Sequence, residues 1–211
     1  MNSETMRTIL IGTTNDFKYN FYGERLSLLE EYSVIFKKLS DLESKSSRIE
    51  ETMDNLELNA INKAVTYARQ TGLVTIADDA GTFIPALNNE PGIAARRWGG
   101  KLPEDISDKD WESYFLERMK EANITETECI REFAVACSDP KGNYRVFKYK
   151  LLGKIKIPGS GHYMKRSPLS SYFFIEQCNK FQSDMTEEDI KIIYSDLKIK
   201  LEEILKQMIG L

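Results

Sequence analysis

The chain has 211 residues, 41% hydrophobic and 29% charged, with a formal net charge of −4, an ordinary make-up for one globular domain or one domain with two lobes. That negative balance gives no general pull towards nucleic acid or anionic membrane, so an anionic ligand needs a locally positive pocket. No apolar run approaches the roughly 20 residues that span a bilayer, Met1 to Thr5 lacks the pattern of a secretory leader, and the three cysteines have no metal-ligand spacing; a cytoplasmic protein with neither a membrane nor a nucleic-acid partner is expected.

Thr8-Ile9-Leu10-Ile11-Gly12 reads as a buried strand, and Thr13-Thr14-Asn15 as the turn into a helix. Thr14 or Asn15 can cap that helix, Asp16 suits its first turn, and Phe17, Phe21, Leu28 and Leu29 mark its inner side. Lys18 opposes the helix dipole unless an anion sits beside it. A strand, a hydroxyl- and amide-bearing turn and a helix start make a ready anion site. Tyr32 to Phe36 predicts a second strand, and Lys37 to Arg48 a loop.

Glu50, Glu51 and Thr52 precede a helix predicted from about Leu56 to Gln70, ending at Gly72 as C-cap. Ala60, Ala64 and Ala68 form a small-residue stripe, while Asn59, Lys63 and Tyr67 share another face. A buried lysine there requires an anion. Leu73 to Ala77 predicts a third strand that ends at Asp78-Asp79-Ala80-Gly81. At a strand end both carboxylates can turn towards one site, where a divalent metal relieves their repulsion. The alternative is a solvated turn. Asn15, Lys18, Glu51, Asn59, Lys63 and the Arg96-Arg97 pair favour a metal-bound phosphate chain, with carboxylates for the metal and lysines and amides for the oxyanions.

Thr82 to Leu87 is a short extended segment, and Asn88 to Gly92 a turn. Ser107 to Ala122 is an amphipathic helix with Trp111, Phe115 and Met119 inward. Residues 129–157 form a hairpin turning at Asp139 to Asn143, with Lys148 and Lys150 on a face that protects the sheet. In the loop Pro158 to Ser171, His162 has Ser160 and Ser167 near in sequence, yet no nucleophile-elbow pattern supports a Ser–His pair. Tyr172 to Ile175 is a short strand. Thr186 to Asp189 opens one C-terminal helix in capping-box fashion, with Ile190, Ile193, Leu197, Leu201, Ile204, Leu205 and Met208 inward.

Four segments, in order over residues 8–100, carry a family resemblance. Thr13-Thr14-Asn15-Asp16-Phe17-Lys18 is similar to Thr-Gly-Asn-x-x-Lys. Glu50-Glu51 with Asn59-Ala60-Ile61-Asn62-Lys63-Ala64 is similar to Glu…Glu-Asn-Ala-x-x-Lys-Ala. Ala77-Asp78-Asp79-Ala80-Gly81 is similar to Ala-Asp-Asp-Ser-Gly. Pro91-Gly92-Ile93 through Arg97-Trp98-Gly99-Gly100 is similar to Pro-Gly-x-x-Ser-Ala-Arg-Tyr-x-Gly. Together they resemble the inosine triphosphate pyrophosphatase (Ham1/RdgB-like) family.

The resemblance implies an α/β fold: an elongated mixed sheet flanked by helices, residues 1–211 forming a single domain of two lobes with the active site in the central cleft. It also implies hydrolysis of a nucleoside triphosphate to monophosphate and pyrophosphate with Mg²⁺, by a homodimer acting mostly on deaminated purine nucleotides such as ITP and XTP. By position, Glu51 helps bind the metal, Asp79 acts as metal ligand or as general base for the attacking water, and Asp78 is the supporting carboxylate. Thr13, Asn15, Lys18 and Lys63 hold the triphosphate, with Arg97 and Lys191 at further substrate-binding positions.

The C-terminal part departs from the family. Pro168-Leu169-Ser170-Ser171-Tyr172-Phe173-Phe174 stands where Phe-Gly-Tyr-Asp-Pro-x-Phe is expected, and Ser195-Asp196-Leu197 where Ser-His-Arg is expected. Loss of donors that read the purine predicts an altered base preference. His162, Lys165 or Arg166 can substitute, and Asp196 can accept from an amino group. A non-catalytic nucleotide-binding protein on the same scaffold, or a pyrophosphatase for another nucleotide, are the alternatives.

Overall fold

The computed structural model describes residues 7–42, 49, 55–103 and 105–211. Among them the strands are β1 (Arg7–Ile11), β2 (Val34–Lys38), β3 (Val74–Ile84), β4 (Glu90–Gly92), β5 (Glu126–Ser138), β6 (Tyr144–Lys156), β7 (Phe173–Ile175) and β8 (Lys180–Phe181). The helices are α1 (Asp16–Asn20), α2 (Leu56–Thr71), α3 (Asp108–Glu121), α4 (Glu187–Ile193) and α5 (Ser195–Ile209). Hydrogen-bonded strands follow the order β2-β1-β3-β5-β6-β7-β8, with β4 on β3. The sheet is mixed: β1 runs parallel to β2 and β3, whereas β3–β4, β6–β7 and β7–β8 are antiparallel.

The chain divides into two compact units. The first holds Met1–Asp79, Ala134–Tyr149 and Ile190–Leu211. Its apolar strand β1 buries Ile9, Leu10 and Ile11, and Leu10 packs with Leu39 and Tyr67. Helix α2 follows its sequence pattern. Asn55 caps it by accepting from the Leu58 amide at 3.1 Å, and Gly72 ends it in the left-handed region at φ 70°. Ala60, Ala64 and Ala68 are fully buried, as a small-residue packing stripe should be.

The second unit holds Ala80–Phe133 and Lys150–Asp189. Trp111, Phe115 and Met119 form the buried face of α3, and Ser107 caps its start by accepting from the Asp110 amide at 3.0 Å. Trp98 is buried against Trp111 and Phe115. Its indole N–H donates to Glu90 at 2.9 Å. Lys101 also pairs with that carboxylate; these two hydrogen bonds hold the Glu90 pKa down at about 2.

Three predicted elements are corrected. The helix after Asn15 is only one turn of α-helix, followed by a π-helical turn, Phe21–Arg25, so Leu28 and Leu29 are buried from a turn rather than from the helix. The third strand does not stop at the aspartates. It continues to Ile84 because Glu90–Gly92 returns and pairs with Thr82, Phe83 and Ile84. The C-terminal helix is broken at Tyr194 (φ −105°, ψ 17°) into α4 and α5, although the Thr186–Asp189 capping box forms at its start.

Candidate functional site

The first unit gathers most of the predicted residues. Gly12 closes β1 onto β3 through its amide, 2.7 Å from the Ile76 carbonyl. A Cβ on Gly12 would lie 2.9 Å from the Tyr67 ring and 3.1 Å from Thr75, so only glycine permits this approach. In the turn that follows, Thr13 Oγ1 accepts from the Asn15 amide at 3.1 Å, and Asn15 Oδ1 accepts from the Phe17 amide at 3.0 Å. That cap sets the direction of α1 and thereby of Lys18. Lys18 Nζ then meets Asp78 Oδ2 at 2.9 Å, an anion next to a cation that the helix dipole alone would disfavour.

The aspartates do not share one strand-end site. Both lie inside β3, where successive side chains take opposite faces, and each has its own partners. Asp79 Oδ2 accepts from the Asn59 amide at 2.8 Å, and its Oδ1 lies 3.6 Å from Lys63 Nζ. Asn59 and Lys63 are buried one turn apart on α2. Asp78 is also buried, beside Tyr22. Burial first, and the Asp78 charge next, raise the Tyr22 hydroxyl well above its ordinary value, so it stays a neutral donor facing that carboxylate. Tyr22 escaped the sequence reading; its only local signal is its place one turn after Lys18.

Of the other predicted residues, Glu51, with Glu50 and Thr52, lies outside the described residues. Lys191 is exposed on α4, and its charge acts on Glu30. In the second unit, Arg96 takes a carboxylate, Asp108 at 2.5 Å, while Arg97 is half-buried with no side-chain partner among the described residues. Ser160 donates to the main-chain carbonyl of His162 at 2.8 Å, and the imidazole lies 3.1 Å from Asp184, so these contacts prepare no nucleophile. Lys148 and Lys150 pair with Glu57 and Glu132, as a protective sheet face would.

The donor set fits magnesium by its chemistry. Of the two predicted ligands, Glu51 and Asp79, the described one, Asp79, offers a buried hard oxygen donor, and magnesium needs only one or two protein carboxylates when phosphates and water complete its shell. Among the described residues no group of three or more His, Cys, Asp or Glu side chains could hold a metal by itself. No helix is long and apolar enough to cross a membrane among the described residues.

The Ham1 family profile matches residues 9–192. A Bacillus cereus protein named dITP/XTP pyrophosphatase is 30% identical over 66% of this chain, and the matched stretch spans 65% of that relative's own length. A Desulfotalea psychrophila protein of the same name is 26% identical over 94% of this chain and 86% of its own. The solved structure of a HAM1 protein from Coxiella burnetii superposes with a TM-score of 0.76, covering 96% of this chain and all of that one at 23% identity, a likeness of fold.

Proposed function

The chain belongs to the Ham1 family, and from that membership we propose that it is a nucleoside triphosphate pyrophosphatase, releasing a nucleoside monophosphate and pyrophosphate. The observation that carries the reading is the doubled acid–base pairing on β3: two buried adjacent carboxylates, each held by a lysine from a different helix. Lysines so placed are held at the carboxylates, with ammonium hydrogens left to donate to phosphate oxygens. The curated relatives' shared name points the same way.

In this reading Asp79 orients the attacking water and takes its proton. The water oxygen bonds to phosphorus as the bridge between the α- and β-phosphates breaks, and the bridging oxygen leaves with pyrophosphate. Asn59 fixes the rotamer of Asp79, and with it the direction in which the carboxylate meets the water. Lys63 and Lys18 offset phosphate charge, with Asp78 holding Lys18 in place, and Thr13 and Asn15 shape the oxyanion turn. Glu51 and Asp79 would hold Mg²⁺, which when bound supplies further positive charge against the phosphate oxygens. Arg97 and Lys191 are read as outer substrate contacts. We read the two compact units as lobes of one domain, and the protein as a cytoplasmic homodimer.

Base preference is proposed to differ from the ITP and XTP habit of the resemblance. Ser170 Oγ is occupied by the Met164 amide at 2.9 Å, and Tyr172 donates to Glu112 at 2.7 Å, so this segment turns its polar groups inward. The deciding experiment is pyrophosphate release with Mg²⁺ over a panel of nucleoside triphosphates. Turnover is expected, with Asp79→Asn lowering it by about 10²–10⁴-fold. Nucleotide binding without any pyrophosphate would replace this reading with a non-catalytic one.

A further inference from the structure

We propose that the Tyr149 hydroxyl is a positioning group for the corner between α4 and α5, and so for the nucleotide contact made by Lys191. The proposal rests on the reading of Lys191 as a substrate residue. The corner is built from two helix ends, where carbonyls and amides lack partners within the helix. Tyr194 supplies no side-chain cap to α5. Local bonds at the corner include the Tyr194 amide to Ile190 at 3.0 Å, the Lys198 amide to Tyr194 at 2.9 Å, and Ser195 Oγ to Ile192 at 3.0 Å. None of these ties the corner to the rest of the unit.

Tyr149, on β6, does so. Its hydroxyl donates to the Ile193 carbonyl at 2.6 Å, from 44 residues away. Its ring lies 5.8 Å from that of Tyr194, which is buried and packs edge-on against Phe21 at 4.8 Å. Phe21 directly follows α1, the helix that carries Lys18. One aromatic wall in the first unit therefore touches both the segment bearing Lys18 and the corner bearing Lys191. Lys191 itself is exposed two residues before Ile193, so its reach is set by where the corner stands.

Tyr149→Phe keeps the ring and removes only the donor. With the best nucleotide of the panel, KM is expected to rise about threefold to tenfold while kcat stays within about twofold, the size of one lost hydrogen bond to a substrate-holding segment. Because Tyr149 acts through Lys191, Tyr149→Phe combined with Lys191→Ala should bind no more weakly than Lys191→Ala alone. An unchanged KM, effects that multiply in the double variant, or a Tyr149→Phe chain that does not fold would each overturn the assignment. A wild-type chain that releases no pyrophosphate from any nucleotide is a different failure, that of the enzymatic reading itself.

Discussion

Lys18 Nζ lies 2.9 Å from Asp78 Oδ2, while the next residue of the strand, Asp79, is taken by Lys63 and Asn59. The two neighbouring carboxylates thus have separate cations rather than a shared one. Strand geometry forces the separation. Asp78 steadies one lysine, and Asp79, held by a second lysine and an amide, is the carboxylate proposed to serve water and metal.

Lys18→Met is expected to leave Asp78 buried without its cation. Because Lys18 is partly exposed, we expect a loss of about 1–3 kcal/mol, below that of a fully buried pair. Urea denaturation should detect it, and Lys18→Met with Asp78→Asn together should cost less than Lys18→Met alone.

Asn59→Ala removes the 2.8 Å amide contact to Asp79. We expect a stability loss of about 1–3 kcal/mol and roughly tenfold slower pyrophosphate release, because a buried acceptor loses its donor and a carboxylate loses its orientation. Steady-state kinetics beside thermal unfolding separates the two effects.

Gly12→Ala places a methyl 2.9 Å from Tyr67 and 3.1 Å from Thr75. Relieving that overlap is expected to cost about 1–3 kcal/mol. The displaced turn carries Thr13 and Asn15, so nucleotide KM should rise as well.

Glu90 predicts an acid-sensitive element in the second unit. Hydrogen bonds from Lys101 and Trp98 lower its pKa from 4.5 to about 2. Folded protein therefore binds fewer protons at this group than unfolded protein does. Its contribution is complete above about pH 4.5 and disappears as pH falls towards about 2. Glu90→Gln should lower stability at neutral pH and flatten the stability–pH curve across that window, read by thermal unfolding in graded buffers.

Local pattern was enough for the elements whose causes are local. The bounds of α2 follow from Asn55, Gly72 and a stripe of alanines; the inner face of α3 follows from the spacing of Trp111, Phe115 and Met119. The capping box at Thr186 and Asp189 and the hairpin turn at Asp139 to Asn143 are likewise contained in a few residues. The candidate residues Lys18, Lys63, Asp78 and Asp79 could be named from motif order alone.

Tertiary structure decided what those residues touch. Strand β3 runs past its aspartates because a segment ten residues on pairs with it, and that continuation puts Asp78 and Asp79 on different faces. Helix periodicity continues unbroken through Tyr194, yet the helix breaks there, where Phe21 and Tyr149 pack against it. A sequence records which side chains can pair and with what period. Which partner each one finds depends on strands and helices brought together from distant parts of the chain, and that is where the chemistry of this protein is set.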